Sequence, residues 1–202
     1  VLDKSNLEEI RRTVGMVFQD PDDQLFAPTV SDDIAFGPRN MGLDVDDVNK
    51  RVSWSLEALD ISHLQDREPH RLSEGQKKLV AIAGILAMDS DILVLDEPTA
   101  NLDPRSSEEV LTLLDELNTE YDKTVIVSSH LIDSKAQWGD KFFVMDQGLM
   151  KKSGTAMEIL ADEELLDSTR LTPPITVKAY RGFKVRGITS HDNIYSKLPL
   201  SV

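Results

Sequence analysis

The run Asp91-Ile92-Leu93-Val94-Leu95, closing on Asp96-Glu97-Pro98, limits the fold more than any other part of this chain. Its apolar residues do not alternate with polar ones, so they do not suit a sheet with one wet face. They suit a central parallel strand covered on both sides. Such strands belong to α/β architectures, in which ligands gather at the carboxyl ends of the strands. Two adjacent carboxylates at such an end need a cation or hydrogen-bond donors, because neither is cheaply buried as a bare ion. Asp96 and Glu97 are therefore the first candidate functional residues.

The rest of the chain supplies elements to surround that strand. Val14, Met16 and Phe18 alternate with smaller or polar residues, predicting a short strand that delivers Gln19 to the start of a loop over Asp20 to Thr29. Val45, Val48, Val52, Leu56 and Leu59 recur at helical spacing, as in an amphipathic helix. Ser73 can cap a helix that is polar through Lys78 and nearly all apolar from Leu79 to Met88, exposing its start and burying its body. Asp103 as N-cap with Pro104 behind it opens another, with Val110, Leu113, Leu114 and Leu117 as its inner stripe. Thr124 to Ser128 reads as a second buried strand, ending at Ser129-His130. A late hairpin follows over Lys141 to Lys152, turning at Asp146-Gln147-Gly148, and then a short helix over Thr155 to Ala161. Thr172-Pro173-Pro174 marks a boundary. Beyond it the chain alternates as a strand or hairpin would, with five Lys or Arg against Asp192 alone.

Composition narrows the partners. A length of 202 residues fits one α/β domain with a small appended element. The formal charge of −14 repels a phosphate backbone, so no nucleic-acid partner is expected. Without cysteine, neither a disulfide framework nor a Cys-based metal or redox site can form. No apolar stretch approaches the roughly 20 residues that a membrane-spanning helix needs.

Leu72-Ser73-Glu74-Gly75-Gln76, the strand ending in Asp96-Glu97, and Ala100-Asn101-Leu102-Asp103-Pro104 stand in an order and spacing that resemble the ATP-binding-cassette ATPases. They match the signature motif, the Walker B strand and the D-loop of that superfamily. The resemblance implies a P-loop NTPase-like α/β cassette, a mostly parallel sheet with flanking helices and a helical subdomain over about residues 30–88. On this reading residues 1–172 are a partial cassette and 173–202 a short C-terminal extension. The sequence contains no Gly-x-x-x-x-Gly-Lys-[Ser/Thr] phosphate loop; the spacing Gly37 to Gly42 is followed by Leu43-Asp44. The chain accordingly reads as a cassette truncated before or at that loop.

What the resemblance implies for chemistry can be carried over residue by residue. The cofactors are ATP and Mg²⁺. Asp96 and Gln19 match the positions that hold Mg²⁺, partly through water, and Glu97 the one that polarises the attacking water. His130 matches the switch histidine that senses the γ-phosphate. Ser73 and Gly75, with Gln76 beside them, match residues that touch nucleotide bound by the opposite subunit, and Asp103 the aspartate that communicates across the dimer. Glu74 replaces the commoner glycine and adds negative charge there. Ser73 and Asp103 also serve as helix caps, and His63, His70, His191, Trp54 and Trp138 are assigned to surface or packing.

Phe18 to Phe26 and Val30 to Asn40 are similar to the energy-coupling-factor and cobalt-type importers within the superfamily. That likeness implies an ATP-binding subunit that hydrolyses ATP to drive uptake of a transition-metal ion (cobalt or nickel) or a vitamin. Its partners would be a second ATP-binding subunit, as homo- or heterodimer, a transmembrane coupling subunit and a substrate-binding membrane subunit. It would lie peripherally on the cytoplasmic face of the cell membrane. Leu25 and Phe26, large apolar residues in an otherwise acidic loop, either fold back into the core or mark the contact with the coupling subunit, around Gln24, Leu25, Phe26 and the following Phe36-Gly37-Pro38. Two other classes stay open. A soluble, non-transport cassette ATPase would need heptad arms or tandem cassettes, and a non-catalytic fragment would only bind partner subunits.

Overall fold

The structure, a computed structural model, describes residue 3 and residues 6–130 and 139–171. Two compact units divide the chain, residues 1–129 and 130–202. The expected extension over 173–202, with His191, and the packing role of Trp138 lie outside the described residues.

In the first unit a helix α1 (Leu7–Thr13) runs into strand β1 (Val14–Val17), and a 3-10 turn over Pro21–Asp23 follows. Helices α2 (Val30–Asn40), α3 (Val45–Ala58) and α4 (Glu74–Ala87) come next and pack on one another through Val30, Ile34, Val48, Val52, Leu56, Ile82 and Leu86, all buried. Strand β2 (Ile92–Asp96), helix α5 (Pro104–Thr119) and strand β3 (Thr124–Ser128) complete the unit. The three strands form a parallel sheet in the order β1-β2-β3, with Val17 beside Leu95 and Asp96 beside Ser128. The strand ending in Asp96 is thus central and parallel, as its composition predicts.

Its coverage differs from the expectation. Val17, Leu93 and Leu95 are fully buried on one face, while Met16 is 48% and Ile126 52% exposed on the other, flanking half-buried Val94. The sheet is therefore closed on one side only among the described residues, and β3 is half-exposed rather than buried. Gly15 shows how tightly the closed side is packed: a Cβ there would lie 2.8 Å from Cβ of Ile85, so only glycine lets β1 approach α4 this closely.

The helices depart from the periodic pattern in a few places. Val45 opens α3 and is 74% exposed, overhanging the stripe that Val48, Val52, Leu56 and the flanking Leu59 bury. In α5 Leu111 joins Val110, Leu114 and Leu117 in the core while Leu113 stays half-buried. Trp54 meets Tyr121 edge-on at 5.5 Å, each partly exposed, so it staples α3 to the α5–β3 turn at the surface. Lys77 and Lys78 are buried, against the expectation of an exposed first turn and a half.

The second unit holds the expected hairpin, β4 (Phe142–Asp146) antiparallel to β5 (Leu149–Gly154). Gln147 and Gly148 both take positive φ, 49° and 76°, as a tight hairpin turn requires. Helix α6 (Ala156–Leu160) starts in a capping box between Thr155 and Glu158, and α7 (Glu163–Ser168) follows. Val144, Ile159, Leu160 and Leu166 form the core of this unit.

Candidate functional site

Three parallel strands discharge their carboxyl ends at one edge of the sheet, and that edge collects the candidate residues. β1 leads into Phe18 and Gln19, β2 ends in Asp96 and Glu97, and β3 ends in Ser128 and Ser129. The hydroxyl of Ser128 donates to Oδ1 of Asp96, and that of Ser129 to Oε2 of Glu97 at 3.2 Å. The backbone N–H of Glu97 reaches both the carbonyl and the hydroxyl oxygen of Ser128, each at 3.2 Å. The acidic pair is thus fixed by the neighbouring strand, with main chain and side chain both held.

The main chain of Glu97 sits at φ 44°, a left-handed conformation that a long side chain rarely adopts. Such a conformation costs about 1 to 3 kcal/mol and persists where surrounding bonds over-determine it. Here they do. This left-handed residue breaks the extended chain between β2 and Pro98.

The first turn of α4 is a separate piece of the unit. Ser73 caps it, accepting the N–H of Gln76 at 3.4 Å, while the Gln76 side chain accepts the N–H of Ser73 at 3.1 Å. Gln76 is accordingly engaged in the capping box. Gly75 faces the loop before α5 and that helix's first turn, since a Cβ there would lie 3.8 Å from both Leu102 and Ser106. In that loop Asp103 accepts the N–H groups of Arg105 and Ser106 at 3.0 and 3.1 Å and the Ser106 hydroxyl at 2.6 Å. The Ser106 hydroxyl first, and then its N–H, hold the Asp103 carboxyl below the usual carboxylate range. The structure thus brings Gly75 beside the Asp103 loop, and Asp96 and Glu97 beside Ser128 and Ser129. His130 is exposed, directly follows Ser129 in sequence and opens the second unit.

Gln19 is exposed at the head of the segment that carries the 3-10 turn, where Asp20 caps by accepting the N–H of Asp22 at 2.9 Å. Downstream, Phe26 is 66% and Phe36 48% exposed, and their rings meet edge-on at 4.8 Å. Asp33 accepts the N–H groups of Phe26 and Ala27 at 3.3 and 2.9 Å, and burial pushes its pKa up despite them. His63 and His70 are exposed, His70 lying 3.2 Å from Glu68.

Sequence reasoning missed Ser128 and Ser129 as partners of the acidic pair. The available signal was their position at the end of a strand that pairs with β2. It also missed the two buried lysines, whose charge placed them on the surface by default.

Oxygen donors of this kind suit a hard divalent cation, which takes one or two carboxylates and completes its shell with phosphate oxygens and water. No group of three or more His, Cys, Asp or Glu gathers among the described residues. The Asp96 carboxylate at the end of β2 is a donor of the kind Mg²⁺ uses, and the Gln19 amide, in the link out of β1, is of the same chemical kind.

Comparison with known proteins converges on the same family. The family described as ABC transporter matches residues 1–100. The energy-coupling factor transporter ATP-binding protein EcfA of Carboxydothermus hydrogenoformans is 49% identical over 91% of this chain and 67% of its own length. EcfA1 of Methanospirillum hungatei is 48% identical over 92% of this chain, again spanning 67% of that relative. Among solved structures, cbiO1 from Clostridium perfringens, part of the ABC transporter complex cbiONQ, superposes with a TM-score of 0.75 at 40% identity, covering 89% of this chain and 71% of that one. An ATP-binding cassette solved as a dimer in a post-hydrolysis state, bound to ADP and Pi, gives a TM-score of 0.66 at 29% identity over 77% of this chain and 68% of that one. With a strand-end acidic pair, a capped signature helix and relatives at this identity, the chain belongs to the ABC transporter family of ATP-binding ATPases.

Proposed function

We propose that this chain belongs to the motor subunit of an energy-coupling-factor importer, a subunit that hydrolyses ATP as one half of a dimer beneath a transmembrane coupling subunit. The observation that carries the proposal is the anchored carboxylate pair, Asp96 on Ser128 and Glu97 on Ser129, at the carboxyl edge of a parallel sheet. Bound Mg·ATP supplies the phosphoanhydride bond, and the cation offsets charge on the phosphates. Asp96, with Gln19, holds the cation. Glu97 orients a water and takes its proton, a role worth about 10² to 10⁴ in rate. His130 stabilises the terminal phosphate.

Ser73 and Gly75 present the α4 N-terminus, with its unpaired N–H groups and positive dipole end, to a nucleotide held by the second subunit. Gln76 fixes the cap that shapes this terminus, and Asp103 shapes the neighbouring loop. The exposed Phe26–Phe36 pair, beside half-buried Leu25, is the proposed contact with the coupling subunit, since clustered exposed aromatics in an acidic surround mark binding surfaces. The proposed cargo is a transition-metal ion or a vitamin, by the resemblance of Phe18 to Phe26 and Val30 to Asn40 to cobalt-type and energy-coupling-factor importers. No helix among the described residues is long and apolar enough to cross a membrane, which fits a subunit attached through partners.

The test is Glu97→Gln in the full-length protein. The amide keeps size and polarity but accepts no proton, so turnover should fall at least about a hundredfold while ATP stays bound and the dimer accumulates. Unchanged turnover would remove Glu97 from the chemistry. Uptake of candidate metal ions and vitamins, added outside vesicles that enclose ATP, decides the cargo.

A further inference from the structure

One turn into α4, two consecutive lysines turn inward. Lys78 is 1% exposed and Lys77 8%. Lys77 Nζ donates to both carboxylate oxygens of Asp22 at 2.6 Å. Lys78 Nζ donates to the carbonyl of Gln19 at 2.5 Å and reaches that of Phe18 at 3.5 Å. An ammonium is among the costliest groups to bury, and an uncharged side chain of the same length would fill the same space. Burial pushes the Lys78 pKa down, while the negative charges of Glu74, Asp20, Asp96 and Glu97 act in the opposite direction.

The partners of both lysines fall in one stretch. Phe18 and Gln19 begin the link out of β1, and Asp22 sits in the 3-10 turn a few residues on. The side chain of Gln24 braces the same stretch from within, donating to the Met16 carbonyl and accepting the N–H of Phe18, both at 3.2 Å. Every strut that reaches this stretch from α4 is a lysine ammonium. α4 also carries Ser73 and Gly75 at its N-terminus.

We propose that Lys78, seconded by Lys77, is a positioning residue that clamps the Gln19 segment to the signature helix, so that the two move as one body. The clamp would transmit a displacement of Gln19, at one nucleotide, to the helix terminus that serves the other. Its catalytic consequence rests on the roles proposed above for Gln19 and Ser73; the mechanical coupling does not.

The experiment is amide hydrogen exchange on the full-length protein, with ATPase kinetics in parallel. Lys78→Met keeps the stem and removes the charge, and Asp22→Asn weakens the second strut while leaving the Lys77 ammonium an amide oxygen to donate to, at a side chain that is 55% exposed. Each should speed exchange of amides 18–24 by about tenfold or more, the loss of one charge-assisted hydrogen bond, and leave α4 beyond Val80 unchanged. Lys78→Gln, which keeps N–H donors for the carbonyls, should restore part of the protection. In Lys78→Met kcat should fall with little change in KM for ATP, whereas Glu97→Gln should lose turnover with normal exchange at 18–24. Unchanged exchange at 18–24 in Asp22→Asn and Lys78→Met overturns the clamp, as does loosening spread evenly along α4. If Lys78→Met does not fold, Asp22→Asn decides alone. Loosening at 18–24 with unaltered ATPase would uphold the clamp and remove Gln19 from the proposed chemistry.

Discussion

Asp96 and Glu97 are adjacent in sequence but are held by different hydroxyls, which gives each its own test. Ser128 bonds the side chain of Asp96 and the N–H of Glu97 together, so Ser128→Ala should disturb both the cation site and the strained turn. Its expected result is a raised Mg²⁺ requirement in ATPase assays, with stability lower by about 0.5 to 1.5 kcal/mol, since water reaches the exposed groups and the Glu97 N–H keeps the Ser128 carbonyl. Ser129→Ala touches only the Glu97 carboxylate among the bonds given above, so turnover should drop with the Mg²⁺ requirement unchanged; Ser129→Thr should recover it. Asp103 offers a readout in acid. Its pKa is depressed in the folded state, so it contributes stability above the unfolded carboxylate value of about 4, lost as pH falls through the folded value. Asp103→Asn should therefore flatten the acid limb of a plot of thermal midpoint against pH; an unaltered slope there would deny the carboxylate that role.

Among the elements, α4 and α5 were legible because their signals are local: Ser73 and Asp103 are caps whose side chains bond their own helix, and the structure places both as predicted. The central place of β2 was legible for a related reason, since a run as apolar as Ile92 to Leu95 has few places to go other than mid-sheet. What sequence could not give was anything set by an element distant in the chain. Lys77 and Lys78 look like solvent residues until Phe18, Gln19 and Asp22 are brought alongside, and Ser128 looks like a strand end until it meets Asp96. The Phe26–Phe36 pair is intermediate. Two aromatics ten residues apart gave no hint that they would meet edge to face, yet their acidic surroundings marked the segment as unusual. Leu25→Ser with Phe26→Ser in the full-length protein should leave basal ATPase and folding intact and abolish co-purification with the coupling subunit. Normal co-purification of a folded double variant would place the docking surface elsewhere.

At the scale of the whole molecule, the sequence lacks the glycine-rich loop and lysine that ordinarily supply most phosphate contacts. Losing even four charge-assisted hydrogen bonds, at about 1.5 to 3 kcal/mol each, lowers affinity by roughly four to nine powers of ten. Calorimetry should accordingly find no micromolar ATP binding to residues 1–202 alone, and finding it would show that the remaining edge suffices. The sheet has a second consequence, in colloid chemistry. Met16, Val94 and Ile126 line up across β1, β2 and β3 on a face left open, a greasy plank on a polyanion of charge −14. Electrostatic repulsion keeps such planks apart in dilute buffer, and salt shortens its range to about 3 Å at 1 M. A preparation of these residues should therefore behave like a surfactant-stabilised dispersion: clear at low ionic strength, lighting up an environment-sensitive dye, and flocculating as salt is added. Ile126→Lys, by wetting the more exposed end of the plank, should keep it clear.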